Sequence, residues 1–124
     1  MIHAARLPAA LAALSAAVAV AIGAFAAHGV SDPAPKGWLE TGGHYQLAHA
    51  LAALLAVVVA PTRGGRAAAW LFLTGGLLFA GSLAGMALAG WFWLGPVTPI
   101  GGTLLIIGWL VLAIAIMRGG AARP

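Results

Sequence analysis

Four long stretches without Asp, Glu, Lys or Arg dominate this 124-residue chain. They cover residues 7–27, 44–60, 67–89 and 100–117. A helix needs about 20 consecutive apolar residues to cross the hydrocarbon core of a bilayer, where only helices and closed barrels satisfy every backbone polar group. The pattern therefore predicts an all-α, integral membrane four-helix bundle, with residues 1–124 forming a single transmembrane domain.

Composition excludes several other classes of protein. Hydrophobic side chains make up 63% of the chain and charged ones only 6%, whereas soluble domains carry about 25% charged residues. The absence of cysteine rules out disulfides, thiolate metal sites and a cysteine nucleophile. The net charge of +4 is scattered over short connections instead of forming a basic stripe, so no nucleic-acid partner is expected.

The positive residues predict how the chain sits in the membrane. In a four-span topology one side carries only Lys36, and the other side carries Arg6, Arg63, Arg66, Arg118 and Arg123. Because cytoplasmic loops are enriched in Lys and Arg, both termini are expected in the cytoplasm. The preference for Arg over Lys and the abundant alanine are typical of a GC-rich bacterial genome, which places the protein in a bacterial inner membrane.

A competing interpretation treats residues 1–26 as a signal peptide. Arg6 precedes an apolar stretch that ends near the small residues Ala24 and Ala26, as at a cleavage site. The apolar run is, however, longer than the roughly 7 to 15 residues of a typical signal-peptide core. We therefore expect the first span to remain in the protein.

The connections between spans differ in character. Residues 29–43 contain helix breakers and both acids, Asp32 and Glu40, and are predicted to form a polar connection. Residues 61–66 are predicted to form a tight basic turn. Residues 91–99 are predicted to form an uncharged aromatic connection at the membrane interface. Thr98 is a candidate cap for the last helix.

Small residues predict where the helices touch. Lipid tails are as apolar as leucine, so helices associate in membranes through close backbone approach and interhelical hydrogen bonds. The candidate packing positions are Gly23, Gly81, Ser82, Gly85, Gly101, Gly102 and Gly108. Trp109 lies near the middle of the last span, where its indole N–H needs an acceptor, and Thr74, Ser82 or a backbone carbonyl is expected to supply it.

Polar side chains inside spans are the main candidates for chemistry, because they are costly in the bilayer. A candidate polar cluster near the outer end of the first hairpin comprises His28, Glu40, Tyr45, Gln46 and His49. Positions three or four apart share a helix face, so the last three can point together, with His44 turned away. Such a cluster permits a metal site, a proton relay or a haem or quinone contact, or interhelical hydrogen bonds that fix the hairpin.

The order of the local patterns resembles a known family. The residues that carry the resemblance are Gly23-Ala24-Phe25-Ala26-Ala27-His28, Trp38, Tyr45-Gln46, His49-Ala50-Leu51, Phe79-Ala80-Gly81-Ser82-Leu83, Thr98-Pro99-Ile100-Gly101-Gly102 and Gly108-Trp109. Across nearly the whole chain they are similar to domain-of-unknown-function family 423, which includes transmembrane protein 256. Ala26 stands where the family usually has glycine, and Ala80 where serine is common. The resemblance implies a four-helix membrane protein without an established activity.

These observations favour an accessory or complex-docking helical bundle without enzymatic activity. No G-x-S-x-G pattern occurs, no cofactor is predicted, and the expected partners are the lipid bilayer and either a second copy or a larger membrane complex. One alternative is a small transporter or channel whose polar entrance is lined by His28, Gln46 and His49. Another is a metal- or cofactor-binding protein that uses His28 and His49, although no metal-ligand spacing motif is present.

Overall fold

Across residues 3–121 the protein consists of four long helices joined by short turns. The computed structural model describes the backbone of residues 3–121 and the side chains of residues 3–119; Arg123, used above for the topology, lies outside this range. The helices are α1 (His3–Gly29), α2 (Pro33–Val59), α3 (Arg63–Ala89) and α4 (Val97–Ala121), with a 3₁₀ turn at Phe92–Leu94. The predicted all-helical class is confirmed.

Each helix has the length and composition of a membrane span. The first three contain 27 residues each, and the 3₁₀ turn with most of α4 forms a fourth candidate span, Phe92–Gly119. At about 1.5 Å per residue, such helices are roughly 40 Å long, against a hydrocarbon core of about 30 Å. Each helix can therefore cross the core and still extend into the headgroup region on either side.

The second helix begins earlier than the sequence suggested. The prediction of a polar connection over residues 29–43 was wrong, because α2 starts at Pro33 with Asp32 as its N-cap residue. Pro33 and Pro35 both lie in the first turn, where backbone N–H groups have no acceptor within the helix and proline is tolerated. As a result, Gln46 is the middle residue of this 27-residue helix, and it and His49 lie near mid-depth instead of at the outer end.

Short capping contacts close the other turns. The Thr62 hydroxyl accepts a hydrogen bond from the Gly65 N–H at 3.2 Å and caps the start of α3. At the end of α3, Gly90 adopts φ 69°, the left-handed conformation that glycine adopts without steric cost. Trp91, Phe92 and Trp93 follow it and are exposed, as expected of aromatic side chains at a membrane interface.

The helices form an open arrangement and not a closed bundle. Helices α2 and α3 pack together at the centre, α1 packs mainly on α2, and α4 packs mainly on α3. Contact between α2 and α4 is slight, and across residues 3–121 α1 and α4 share no packed interface. Two grooves therefore flank the central pair, one between α1 and α3 and the other between α2 and α4.

Small residues set the distances between the helices. The core consists mostly of alanines around Phe72, which lets the helix backbones approach closely. At the α3–α4 crossing, a Cβ atom on Gly101 would lie 2.8 Å from the Gly75 carbonyl oxygen, and one on Gly108 would lie 2.8 Å from the Phe72 ring. The α3–α4 contact is thus a backbone-to-backbone approach.

The other candidate packing glycines lie elsewhere. Gly102 faces the Phe79 ring, and Gly85 packs against Leu94 of the 3₁₀ turn, not against another helix. A Cβ atom on Gly23 or Gly81 would have no neighbour within 4 Å among the described residues. These last two positions leave open space on the surface of the described structure.

Candidate functional site

The polar residues of α2 lie on two sides of that helix. Tyr45 and His49 stack, with ring centroids 6.1 Å apart and an interplanar angle of 3°, and both line the groove between α2 and α4. Gln46 turns the other way and donates from Nε2 to Ser15 Oγ of α1 at 3.1 Å. The expectation that all three point together was therefore wrong for Gln46, because α2 is central and has a neighbour on each flank.

Both ring nitrogens of His49 are hydrogen-bonded. Nδ1 lies 2.7 Å from the Tyr45 carbonyl oxygen, and since a carbonyl only accepts, Nδ1 carries the proton. Nε2 then presents its lone pair and accepts from Trp109 Nε1–H at 3.0 Å. His49 is 8% exposed and is held as a neutral imidazole between α2 and α4.

This bond to His49 corrects the expected partner of Trp109. Thr74 instead donates to the Trp70 carbonyl at 2.7 Å, and Ser82 donates to the Phe79 carbonyl at 3.0 Å. The sequence carried one signal for this pair, because a histidine and a tryptophan inside membrane spans each need a hydrogen-bond partner.

Aromatic rings surround the imidazole. Phe72 lies 5.7 Å from the His49 ring centroid and 4.8 Å from that of Trp109, and Phe79 lies 4.7 Å from Tyr45. Of these rings, Tyr45, His49, Phe79 and Trp109 border the groove of about 590 Å³ between α2 and α4. We call Tyr45, His49, Phe72, Phe79 and Trp109 the aromatic cluster.

A second polar feature lies on the opposite flank of α2. Gln46 is 5% exposed, and its Oε1 atom has no hydrogen-bond partner within the described residues. It lines a groove of about 310 Å³ between α1 and α3, together with Ser15, Thr74 and Leu77. A buried amide oxygen without a donor is unfavourable, and more so in hydrocarbon where water is scarce.

A hydroxyl pair links α3 to the start of α4. Ser82 Oγ and Thr98 Oγ1 are 2.6 Å apart, and because the Ser82 proton is directed to the Phe79 carbonyl, Thr98 donates to Ser82. Thr98 lies inside the first turn of α4, which begins at Val97, so its hydroxyl joins two helices instead of serving as the predicted cap.

The remaining candidates do not join this site. His28 is exposed at the end of α1, His44 is exposed on α2, and Glu40 is half-buried two turns from His49. Along α2, the level of the α1–α2 turn is roughly 25 Å from His49, so His28 and His49 lie at different depths. Within the described residues, no group of three His, Cys, Asp or Glu side chains can hold a metal ion, and the transporter entrance proposed for His28, Gln46 and His49 is not assembled.

Four apolar helices, bonded to one another by polar side chains near mid-depth, define a multi-pass α-helical membrane protein. The family model described as "Protein of unknown function (DUF423)" matches residues 22–102. The chain belongs to this family, which confirms the resemblance seen in its sequence motifs.

Relatives from several bacteria carry the same description as membrane proteins. A UPF0382 membrane protein of Staphylococcus epidermidis is 42% identical over 87% of this chain and 93% of its own length. One from Haemophilus influenzae is 43% identical over 83% and 87%, and the YwdK protein of Bacillus subtilis is 35% identical over 87% and 94%. No solved structure matches the chain.

Proposed function

We propose that this protein is a non-enzymatic accessory bundle of the bacterial inner membrane that acts through helix docking, first of all with a second copy of itself. The observation that carries the proposal is the buried Gln46 Oε1 atom in the groove between α1 and α3, which has no hydrogen-bond partner among residues 3–119. Lipid tails have no hydrogen-bond donor to offer it. A helix that brings a donor into this groove would remove the desolvation cost once the Gln46 side chain turns its Oε1 atom toward that donor.

The α1–α3 face has the features of a two-fold contact. In such a contact the same surface appears on both copies, so it must carry complementary groups of both kinds. The groove offers the acceptor Gln46 Oε1, and the exposed Thr74 hydroxyl at its edge becomes a donor for a second copy once it exchanges its bond to the Trp70 carbonyl for one across the contact. Leu14 and Leu77 form exposed ridges beside the groove, and Gly81 leaves open space one turn beyond Leu77.

The engagement of the other polar groups supports a structural role. His49 holds α2 to α4 with Trp109, and Ser82 holds α3 to α4 with Thr98. An imidazole whose two nitrogens are both bonded is not poised as a general base or a metal ligand. The polar side chains of these two pairs thus serve to hold the helices together.

Blocking the groove is expected to separate the copies. Leu77 is 64% exposed on α3, and Leu110 is 61% exposed on α4 away from the groove. Leu77→Trp fills the α1–α3 groove and should weaken the dimer about tenfold or more, whereas the matched Leu110→Trp should leave it unchanged. Single-molecule photobleaching in lipid nanodiscs and vesicles measures the dimer fraction against protein density.

Gln46→Leu tests the hydrogen bond itself. Interhelical hydrogen bonds in membranes contribute about 0.6 kcal/mol on average and about 1.7 at most. A two-fold dimer loses one such bond from each copy, so this variant should weaken the dimer about eightfold to three-hundredfold. Gln46→Leu also removes the bond to Ser15 within the monomer, so circular dichroism on the same samples checks that each variant is folded. A wild-type chain that stays monomeric at every density, or an equal loss in Leu110→Trp, contradicts the proposal.

The orientation gives a separate prediction. We propose that the Arg-rich end faces the cytoplasm, because Arg6, Arg63, Arg66 and Arg118 share it while Lys36 lies at the other end. The chain contains no cysteine, so a single introduced cysteine is the only thiol in the protein that can react with a labelling reagent. Ser31→Cys should react with an impermeant maleimide in intact cells, and Pro61→Cys only after permeabilisation. The reverse pattern contradicts this topology.

A further inference from the structure

A third groove lies between α3 and α4 at the end of the molecule that carries Arg6, Arg63, Arg66 and Arg118, which we call the basic end. Its volume is about 530 Å³. Arg63 comes from α3 and Arg118 from α4, so two helices bring a guanidinium each to the same cleft.

The two acidic side chains of the protein lie far from this groove. The acids Asp32 and Glu40 lie at the N-cap and in the first half of α2, whose other end leads to the basic end. From Glu40 to the end of α2 is roughly 30 Å at about 1.5 Å per residue. Neither carboxylate can neutralise the two arginines that border the groove.

The groove is amphipathic along its length. Beyond the arginines it is lined by Val111, Ile114 and Ala115 of α4. Val111 lies two turns deeper along α4 than Arg118, about 10 Å toward the middle of the span. A ligand in this cleft therefore meets positive charge at one end and hydrocarbon at the other.

We propose that this groove binds one anionic phospholipid. Its phosphodiester lies between Arg63 and Arg118, and the part of an acyl chain nearest the headgroup lies against Val111 and Ile114. Guanidinium groups match phosphate oxygens through paired N–H donors. The apolar wall selects a lipid headgroup over free phosphate, because inorganic phosphate has nothing to place there. Two basic residues at a membrane surface give a preference for anionic lipid of about tenfold or more.

Native mass spectrometry of the full chain, titrated with phosphatidylglycerol or phosphatidylcholine, tests this site. We expect one retained phosphatidylglycerol, with an affinity about tenfold or more above that for phosphatidylcholine. The double variant R63Q/R118Q should bring this ratio to about one, while R6Q should leave it unchanged. Arg6 is the matched control because it is an exposed arginine at the same end, on α1 and outside the groove.

Each other outcome overturns the site. An equal loss in R6Q means that only the general charge of the basic end attracts the lipid. A wild-type ratio near one means that the groove has no headgroup preference. Complete displacement of phosphatidylglycerol by millimolar inorganic phosphate means that the arginines hold an anion without using the apolar wall. Unchanged circular dichroism of both variants confirms that the comparison is made on folded protein.

Discussion

Replacing Gly101 with alanine is expected to lower the free energy of unfolding by about 2 to 3 kcal/mol, the upper part of the range for overpacking. The added Cβ atom would lie 2.5 Å from the Phe79 nitrogen and 2.8 Å from the Gly75 carbonyl oxygen. Both are backbone atoms of α3, fixed by its helical hydrogen bonds, so they cannot turn aside as a side chain can. Helix α4 must instead move away from α3. Reversible unfolding in mixed detergent micelles measures the loss.

Gly81→Ala is the matched control for this prediction. Gly81 lies on the same helix as Gly75, but within the part of the chain that the structure describes a Cβ atom there has no neighbour within 4 Å. The free energy of unfolding of the Gly81→Ala variant should be unchanged or slightly higher, because alanine is favoured over glycine in a helix by roughly 0.5 to 1 kcal/mol. If the two alanine variants prove equally stable, α3 and α4 do not approach as closely as described.

The contrast between these two glycines shows what sequence spacing can and cannot predict. Gly81 and Gly101 both belong to series of small residues that look suitable for helix contact. Whether such a position meets another backbone depends on where two helices cross, and the crossing point is a tertiary property. Spacing identified the surfaces capable of close approach but not the pairs that meet.

Helix boundaries show a similar limit. The apolar runs predicted four helices because a bilayer demands long uninterrupted stretches, and residues 3–121 form four long helices. The start of α2 was missed because Pro33 and Pro35 were interpreted as helix-breaking residues, although proline is compatible with a first helical turn. Charged residues such as Lys36 and Glu40 also indicated a connection outside the membrane. A helix of roughly 40 Å extends beyond the hydrocarbon core, however, so its ends can carry charged residues.

The polar residues were identified as unusual, but their partners were not. The cost of burying them in lipid singled out Gln46 and His49 from the sequence alone. Their bonds run to Ser15 of α1 and Trp109 of α4, which lie far away along the chain. Helix spacing describes neighbours on one helix, so it could not assign these two side chains to different flanks of α2.

A double-mutant cycle should reveal a coupling of about 0.5 to 1.7 kcal/mol between His49 and Trp109. Trp109→Phe removes the donor to Nε2 and leaves a buried acceptor unpaired, at an expected cost of about 1 to 2 kcal/mol. His49→Leu likewise leaves the indole N–H without its acceptor. In the double variant neither group is left unpaired, so its loss of stability should be smaller than the sum of the two single losses. Unfolding in mixed micelles measures all four proteins.

The control cycle pairs His44→Leu with Trp93→Phe, the same substitutions at exposed positions. His44 lies on α2 one turn from His49, and Trp93 is 72% exposed in the 3₁₀ turn. Their effects should add to within about 0.3 to 0.5 kcal/mol. If His49 and Trp109 were as additive as this pair, their 3.0 Å contact would contribute nothing to helix association. The imidazole would then be free for another role, and the structural function proposed for the centre of the molecule would lose its second support.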